Sequence, residues 1–225
     1  SELRIHLIRA SIAVIFFTII CFFFYDFIFD TVIMGPRKST FWTYRIMCQI
    51  GEYFNKSGFC IENIPGKIIN TEMAGQFTLQ INSSLLTGVV LGFPYLLWEI
   101  WRFISPGLYS KERNAARGAV FFVSLLFFMG AAFGYFILSP LSINFLANYQ
   151  LDPSILNEFD ITSYVTTVVM LVLASALMFQ LPVVIYFLSM SGLVTSHMLK
   201  AYRKHSIVVI LILSAVITPP DVISQ

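Results

Sequence analysis

Ile161–Leu188, reading ITSYVTTVVMLVLASALMFQLPVVIYFL, is apolar almost throughout and carries no charged side chain. A helix rising about 1.5 Å per residue needs about 20 residues to cross about 30 Å of hydrocarbon, so this run is long enough to span a bilayer. It is also too long and too continuously apolar for the alternating strands of a barrel. Working outward, comparable runs at about Ile5–Phe29, Phe77–Ile100 and Ala115–Leu138 predict three further spans, and a shorter run at about Ser206–Thr218 predicts a fifth. Composition agrees: 57% of the 225 residues are hydrophobic and 12% are charged, against about 25% charged in an ordinary soluble domain. The expected fold is all-α, a polytopic transmembrane helical protein forming a single transmembrane domain over residues 1–225.

The first run ends in Phe22, Phe23, Phe24 and Tyr25, an interfacial signature, and is followed by aspartates and not by a small-residue cleavage site, so it reads as a span that is retained. A polar segment, 30–72, separates it from the second span. The aromatic residues Phe41, Trp42, Tyr44, Tyr53, Phe54 and Phe59 favour a structured outer loop over disorder. Cys48 and Cys60 share this loop, where a disulfide and two free thiols are both open readings, while Cys21 lies within the first span as a small packing residue. The fifth run keeps only about 11 apolar residues, or about 17 Å of helix, so its flanks must snorkel, its neighbours shield it or the bilayer thin beside it. A re-entrant hairpin is the alternative.

With the faces alternating at each span, Arg4, Arg9, Arg102, Lys111, Arg113, Arg117, Lys200, Arg203 and Lys204 fall on one side, against only Glu2, Glu99 and Glu112. The opposite side is richer in acid, including Asp26, Asp30, Asp152, Asp160 and Asp221. The positive-inside rule then makes the basic face, and the N-terminus with it, cytoplasmic.

Enzyme readings find little support. There is no His-Glu-x-x-His zinc motif, and His6, His197 and His205 are scattered; the string nearest to a serine-protease nucleophile is Ser189-Met190-Ser191-Gly192; no Gly-rich phosphate loop ends in Lys-Ser or Lys-Thr. No cofactor or metal is expected. Topology accounts for the basic residues without nucleic acid. What remains is a few polar residues in awkward places. Glu99, between Trp98 and Trp101 and after Pro94, reads as an interfacial partner of Arg102 at i+3. Gln180, just before Pro182 in the fourth span, reads either as interhelical glue or as a residue lining a wet groove beside a bend. Glu112 is a lone acid in a basic inner loop, placed either to pair with Lys111, Arg113 or Arg117 or to receive a cationic partner.

The string Trp101-x-Phe103-Ile104-x-Pro106-x-Leu108-Tyr109, followed by Lys111-Glu112-Arg113, resembles the first cytoplasmic loop of the TatC family, the receptor and core subunit of the twin-arginine protein translocase. The opening Ser1-Glu2-Leu3-Arg4-Ile5-His6-Leu7 is similar to the end of that family's amphipathic start. Thr218-Pro219-Pro220-Asp221-Val222-x-Ser224-Gln225 is similar to its turn after the fifth span. The resemblance implies six spans with both termini inside, so a sixth span and an N-terminal lead are expected beyond this sequence. It implies that Glu2 and Glu112 receive the two arginines of a signal peptide, supported by Arg4, Phe103, Leu108, Tyr109 and Arg113, and that Asp221 lies in the outer turn.

It further implies a bacterial-type inner (cytoplasmic) membrane, an energy source in the proton-motive force, and as partners twin-arginine signal peptides of folded cargo, small single-span TatA/TatB-type subunits, membrane lipid and further copies of the chain, without nucleic acid. Many members carry Glu where this chain has Gln180. The competing class, a small-molecule or ion secondary transporter, would call for paired intramembrane charges or broken-helix repeats, and neither is visible.

Overall fold

A computed structural model of the chain describes residues 2–53, 60, 64–104, 119–150, 152, 157–190 and 196–217. Four helices among them are long and apolar enough to cross a membrane: Arg4–Phe23 with 20 residues, and Gly75–Phe103, Val120–Asn148 and Ile161–Ser189 with 29 each. The protein is a polytopic α-helical membrane protein. A fifth apolar helix, Arg203–Ile217, has 15 residues, about 22 Å of rise, which is short of the hydrocarbon thickness. The chain divides into two compact units: 1–32 with 70–128, and 33–69 with 129–225.

In the first unit, α1 (Glu2–Phe23) packs along α2 (Gly75–Ile104). The two run antiparallel, because Gly92 of α2 meets Val14 and Phe17 of α1 whereas the earlier Gly88 meets Thr18. A Cβ on Gly88 would lie 2.7 Å from the Thr18 backbone nitrogen, so a bare glycine is what lets the two backbones approach. Phe93 of α2 stacks on Phe127 of α3 (Ala119–Phe133), ring centroids 3.5 Å apart and planes 11° from parallel.

In the second unit, the C-terminal half of α3 packs on α4 (Ile161–Met178) through two more glycines. A Cβ on Gly130 would lie 2.9 Å from Ala176 Cα, and one on Gly134 would lie 2.8 Å from Val172 Cα. The helical course of α3 does not stop at Leu138. A wide turn over Gly134–Leu138 leads straight into α5 (Ser139–Asn148), with Ser139 Oγ donating to the Gly134 carbonyl at 2.8 Å. Pro140 lacks the amide that would meet the Phe136 carbonyl four residues earlier, and the Thr43 hydroxyl donates to that carbonyl instead, so the course continues past the proline. The fourth apolar run is divided: α4 ends at Met178, Phe179 and Gln180 form a turn, and α6 (Leu181–Met190) starts with Pro182 in its first turn.

The described residues of the loop 30–72 form both helix and strand. The loop holds α7 (Trp42–Tyr53) and β1 (Lys67–Ile69), which pairs in parallel with β2 (Glu158–Asp160) in the register Lys67↔Glu158, Ile68↔Phe159, Ile69↔Asp160. Gly66, just before β1, has φ +97, a left-handed conformation that glycine adopts freely. Tyr44 of α7 is buried and shares its hydroxyl proton between the Pro36 carbonyl at 2.9 Å and the Pro140 carbonyl at 2.8 Å. Burial raises its phenol pKa, so it stays a neutral donor. The buried Tyr164 donates to the Ile33 carbonyl at 2.9 Å, and Arg37 donates to the Gly66 carbonyl. Cys48 and Cys60 are joined by a disulfide, their Cα atoms 4.3 Å apart.

Candidate functional site

A helix interior satisfies its own backbone, so a titratable side chain buried between helices needs a partner from the facing helix. Glu99, in the last turns of α2, is 2% exposed. Its Oε2 lies 2.5 Å from Nδ1 of His6 on α1, and its Oε1 accepts the Tyr95 hydroxyl at 3.0 Å. Tyr95 and Glu99 are four residues apart and therefore share one face of α2. The His6 side chain is 18% exposed, and its ring meets Phe103 edge-on, centroids 6.1 Å apart.

The expected Glu99–Arg102 pair is therefore corrected: among the described residues the acid's close basic partner is His6. The physical reason is reach. Arg102 has an exposed side chain, whereas the His6 imidazole stands opposite the buried Glu99 at the helix interface.

Of the residues expected at the reader site, Arg4 is exposed on α1, and Phe103, 43% exposed, lies in the last turn of α2. The backbone of Glu2 opens α1. Leu108, Tyr109, Glu112, Arg113 and Asp221 lie outside the described residues. Gln180 is half-buried in the turn between α4 and α6, where its carbonyl accepts from the Val183 amide at 3.0 Å and the Val184 amide at 3.1 Å. The structure thus brings the segment bearing Glu2 and Arg4 beside the segment bearing Phe103, through a histidine that sequence reasoning left among scattered basic residues. The available signal was the Tyr95–Glu99 spacing, which places a hydroxyl donor beside an acid on one face of α2.

The sequence matches the family described as Sec-independent protein translocase protein (TatC) over residues 1–225. It is 37% identical over 228 residues to the TatC protein of Blattabacterium sp. subsp. Periplaneta americana, covering 100% of this chain and 85% of that one. With the TatC protein of Helicobacter pylori (strain J99) it shares 40% identity over 167 residues, 74% of this chain and 67% of the other. A crystal structure described as the twin arginine translocase receptor TatC in DDM superposes with a TM-score of 0.78 at 29% identity, covering 100% of this chain and 89% of that one. A second crystal structure, described as the twin arginine translocase receptor TatC, superposes with a TM-score of 0.74. The chain is a member of the TatC family, a membrane component of the Sec-independent protein translocase.

Proposed function

We propose that this chain is the signal-peptide receptor of a twin-arginine translocase, with its N-terminus in the cytoplasm of a bacterial-type cell and its membrane the inner one. It acts without catalysis of its own, as the core to which small TatA/TatB-type subunits and further copies of the chain assemble, and the proton-motive force drives transport. The observation that carries the reading is the edge-on contact of His6 with Phe103. It joins the start of α1, which bears Glu2 and Arg4, to the end of α2, which leads into the segment bearing Glu112. The basic surroundings fit a cytoplasmic face.

Recognition follows from carboxylate chemistry. An exposed ion pair contributes about 0 to 1 kcal/mol, too little to select paired arginines from many cationic peptides. A charge-assisted, bidentate guanidinium–carboxylate contact in a partly desolvated site contributes about 1.5 to 3 kcal/mol, so two of them at Glu2 and Glu112 supply a large preference. Ammonium groups lack the planar fork, and Lys-Lys peptides should bind poorly.

The test is affinity for Arg-Arg and Lys-Lys signal peptides at two salt concentrations. Glu112→Ala should weaken the Arg-Arg peptide by about tenfold or more, and Glu2→Ala should act in the same direction. A Glu2→Ala, Glu112→Ala double variant that kept the parent's Arg-Arg over Lys-Lys preference would remove the mechanism.

A further inference from the structure

The contact between α1 and α2 does not need a buried ion pair. Gly88 and Gly92 already let the helices close against Thr18, Val14 and Phe17, and replacing a buried pair by apolar side chains is often neutral or stabilising. Yet at the inner end of the same contact a carboxylate 2% exposed has both oxygens engaged, one by His6 of α1 and one by Tyr95 of its own helix. Apolar packing tolerates small slides and rotations of one helix on another. A directional hydrogen bond between two charged or polar groups does not, and fixing register is the best-attested use of buried polar pairs.

The position of this pair is specific. His6 stands one helical turn after Glu2, and Phe103 stands one turn after Glu99. The same imidazole that meets Glu99 Oε2 at 2.5 Å also contacts the Phe103 ring.

We propose that His6 and Glu99, with Tyr95 orienting the carboxylate, are a positioning pair that sets the register of α1 on α2 and so holds the two signal-reading segments at the spacing a pair of arginines requires. The pair touches no peptide itself. It acts through the start of α1, which bears Glu2 and Arg4, and through Phe103 at the end of α2, and it rests on the receptor reading above. Losing the pair loosens the spacing and so costs selectivity, which depends on two forks engaging at once, more than it costs general attraction for a cationic peptide, which depends only on charge.

The experiment uses the full-length protein in lipid nanodiscs, with fluorescent Arg-Arg and Lys-Lys signal peptides and affinities normalised to folded protein. Glu99→Leu is expected to lower the Arg-Arg over Lys-Lys preference by about tenfold, the size of one lost charge-assisted contact, with Lys-Lys affinity within about threefold of the parent. The exchanged variant His6→Glu, Glu99→His, which rebuilds a hydrogen-bonded pair with reversed ends, should recover the preference to within about threefold of the parent. Should Glu99→Leu fail to fold, His6→Phe keeps a ring against Phe103, removes the bond to Glu99 and reads the same ratio; an undiminished ratio in it overturns the role. A structural contact without a positioning role predicts lower thermal stability and an unchanged ratio in the folded fraction, and that result also overturns the proposal. A parent protein with no Arg-Arg preference sinks the receptor reading first. A parent with the preference, whose pair variants all retain it, sinks the positioning role alone.

Discussion

Between α1 and α2, contact is made by the absence of side chains. Gly88 and Gly92 present bare backbone, and the buried Glu99 meets His6 near the start of α1. In the second unit, around the loop that holds α7 and β1, contact is made by hydroxyls and a covalent link: Tyr44 reaches the carbonyls of Pro36 and Pro140, Tyr164 reaches that of Ile33, and a disulfide joins α7 to the chain before β1. The difference lies in where backbone groups find their partners. Continuous helices satisfy their own amides and carbonyls and need only shape to associate in lipid. Where the chain turns at Ile33 and Pro36, carbonyls are left over, and a buried hydroxyl is brought to each; the Tyr44 hydroxyl also reaches the Pro140 carbonyl in the first turn of α5.

The comparison breaks most severely at Gly88. A Cβ there would fall 2.7 Å from the Thr18 nitrogen and 2.8 Å from its Cα, and backbone cannot move aside as a side-chain tip can. Gly88→Leu should cost about 3 kcal/mol or more and remove most folded protein, measured as thermal unfolding in detergent. Gly92→Ala is the control, because its Cβ would meet Phe17 Cδ2 at 3.4 Å, an ordinary contact. It should be neutral or slightly stabilising, since alanine favours helix over glycine by about 0.5–1 kcal/mol. Equal losses at both glycines would mean that close backbone approach is not what holds this pair.

Next in size is the disulfide, which closes a sequence separation of 12 residues. By loop-closure entropy its removal should cost about 2–3 kcal/mol, and only in the outer loop. Cys48→Ser, or reductant, should speed protease cleavage within 30–72 while leaving the unfolding of the α1–α2 pair unchanged. Global destabilisation would show that the two regions unfold together.

The hydroxyls come third. Tyr44→Phe leaves the Pro36 and Pro140 carbonyls without their shared donor in a buried place, at an expected cost of about 1–3 kcal/mol, and Tyr164→Phe does the same to the single carbonyl of Ile33 at the lower end of that range. Hydrogen exchange of the amides of α7 and of residues 33–38 measures both. Tyr164→Phe costing more than Tyr44→Phe would reverse the count of carbonyls as the explanation.

The spans were legible because lipid demands apolar length, and length is written residue by residue in runs such as 161–188. The continuation of the third helical course past Leu138 was harder to see, since Ser139-Pro140 has the look of a stop; the donor that replaces the proline's missing amide, the Thr43 hydroxyl, comes from 93 residues away. The parallel pairing of β1 with β2 joins three-residue segments far apart in sequence and leaves almost no periodic trace. The motif strings around Glu2 and Glu112 could be read directly. The His6–Glu99 contact could not, because it joins residues 93 apart, and a local partner, Arg102, stood three residues away. Sequence distance favoured the arginine, and helix packing favoured the histidine.

The smallest effect concerns the start of α4, where the second unit passes from strand to span. Asp160 is both the last residue of β2 and the N-cap of α4, with extended backbone at φ −68, ψ 135, and its Oδ1 accepts the Thr162 amide at 2.8 Å. An N-cap of this kind contributes about 1 kcal/mol, and a carboxylate at a helix N-terminus gains further from the macrodipole, about 0.3–1 kcal/mol at an exposed site. Asp160→Ala should therefore cost about 1–2 kcal/mol, and Asp160→Asn, which keeps an acceptor and loses the charge, about half of that or less. Neither should touch the α1–α2 pair, whose amides are satisfied within helices. The measurement is exchange of the Thr162 and Ser163 amides beside that of amides in α1. Faster exchange at 162–163 alone fits a local cap, whereas no change in the alanine variant would show that pairing to β1 through Ile69↔Asp160, not the side chain, sets where this span begins.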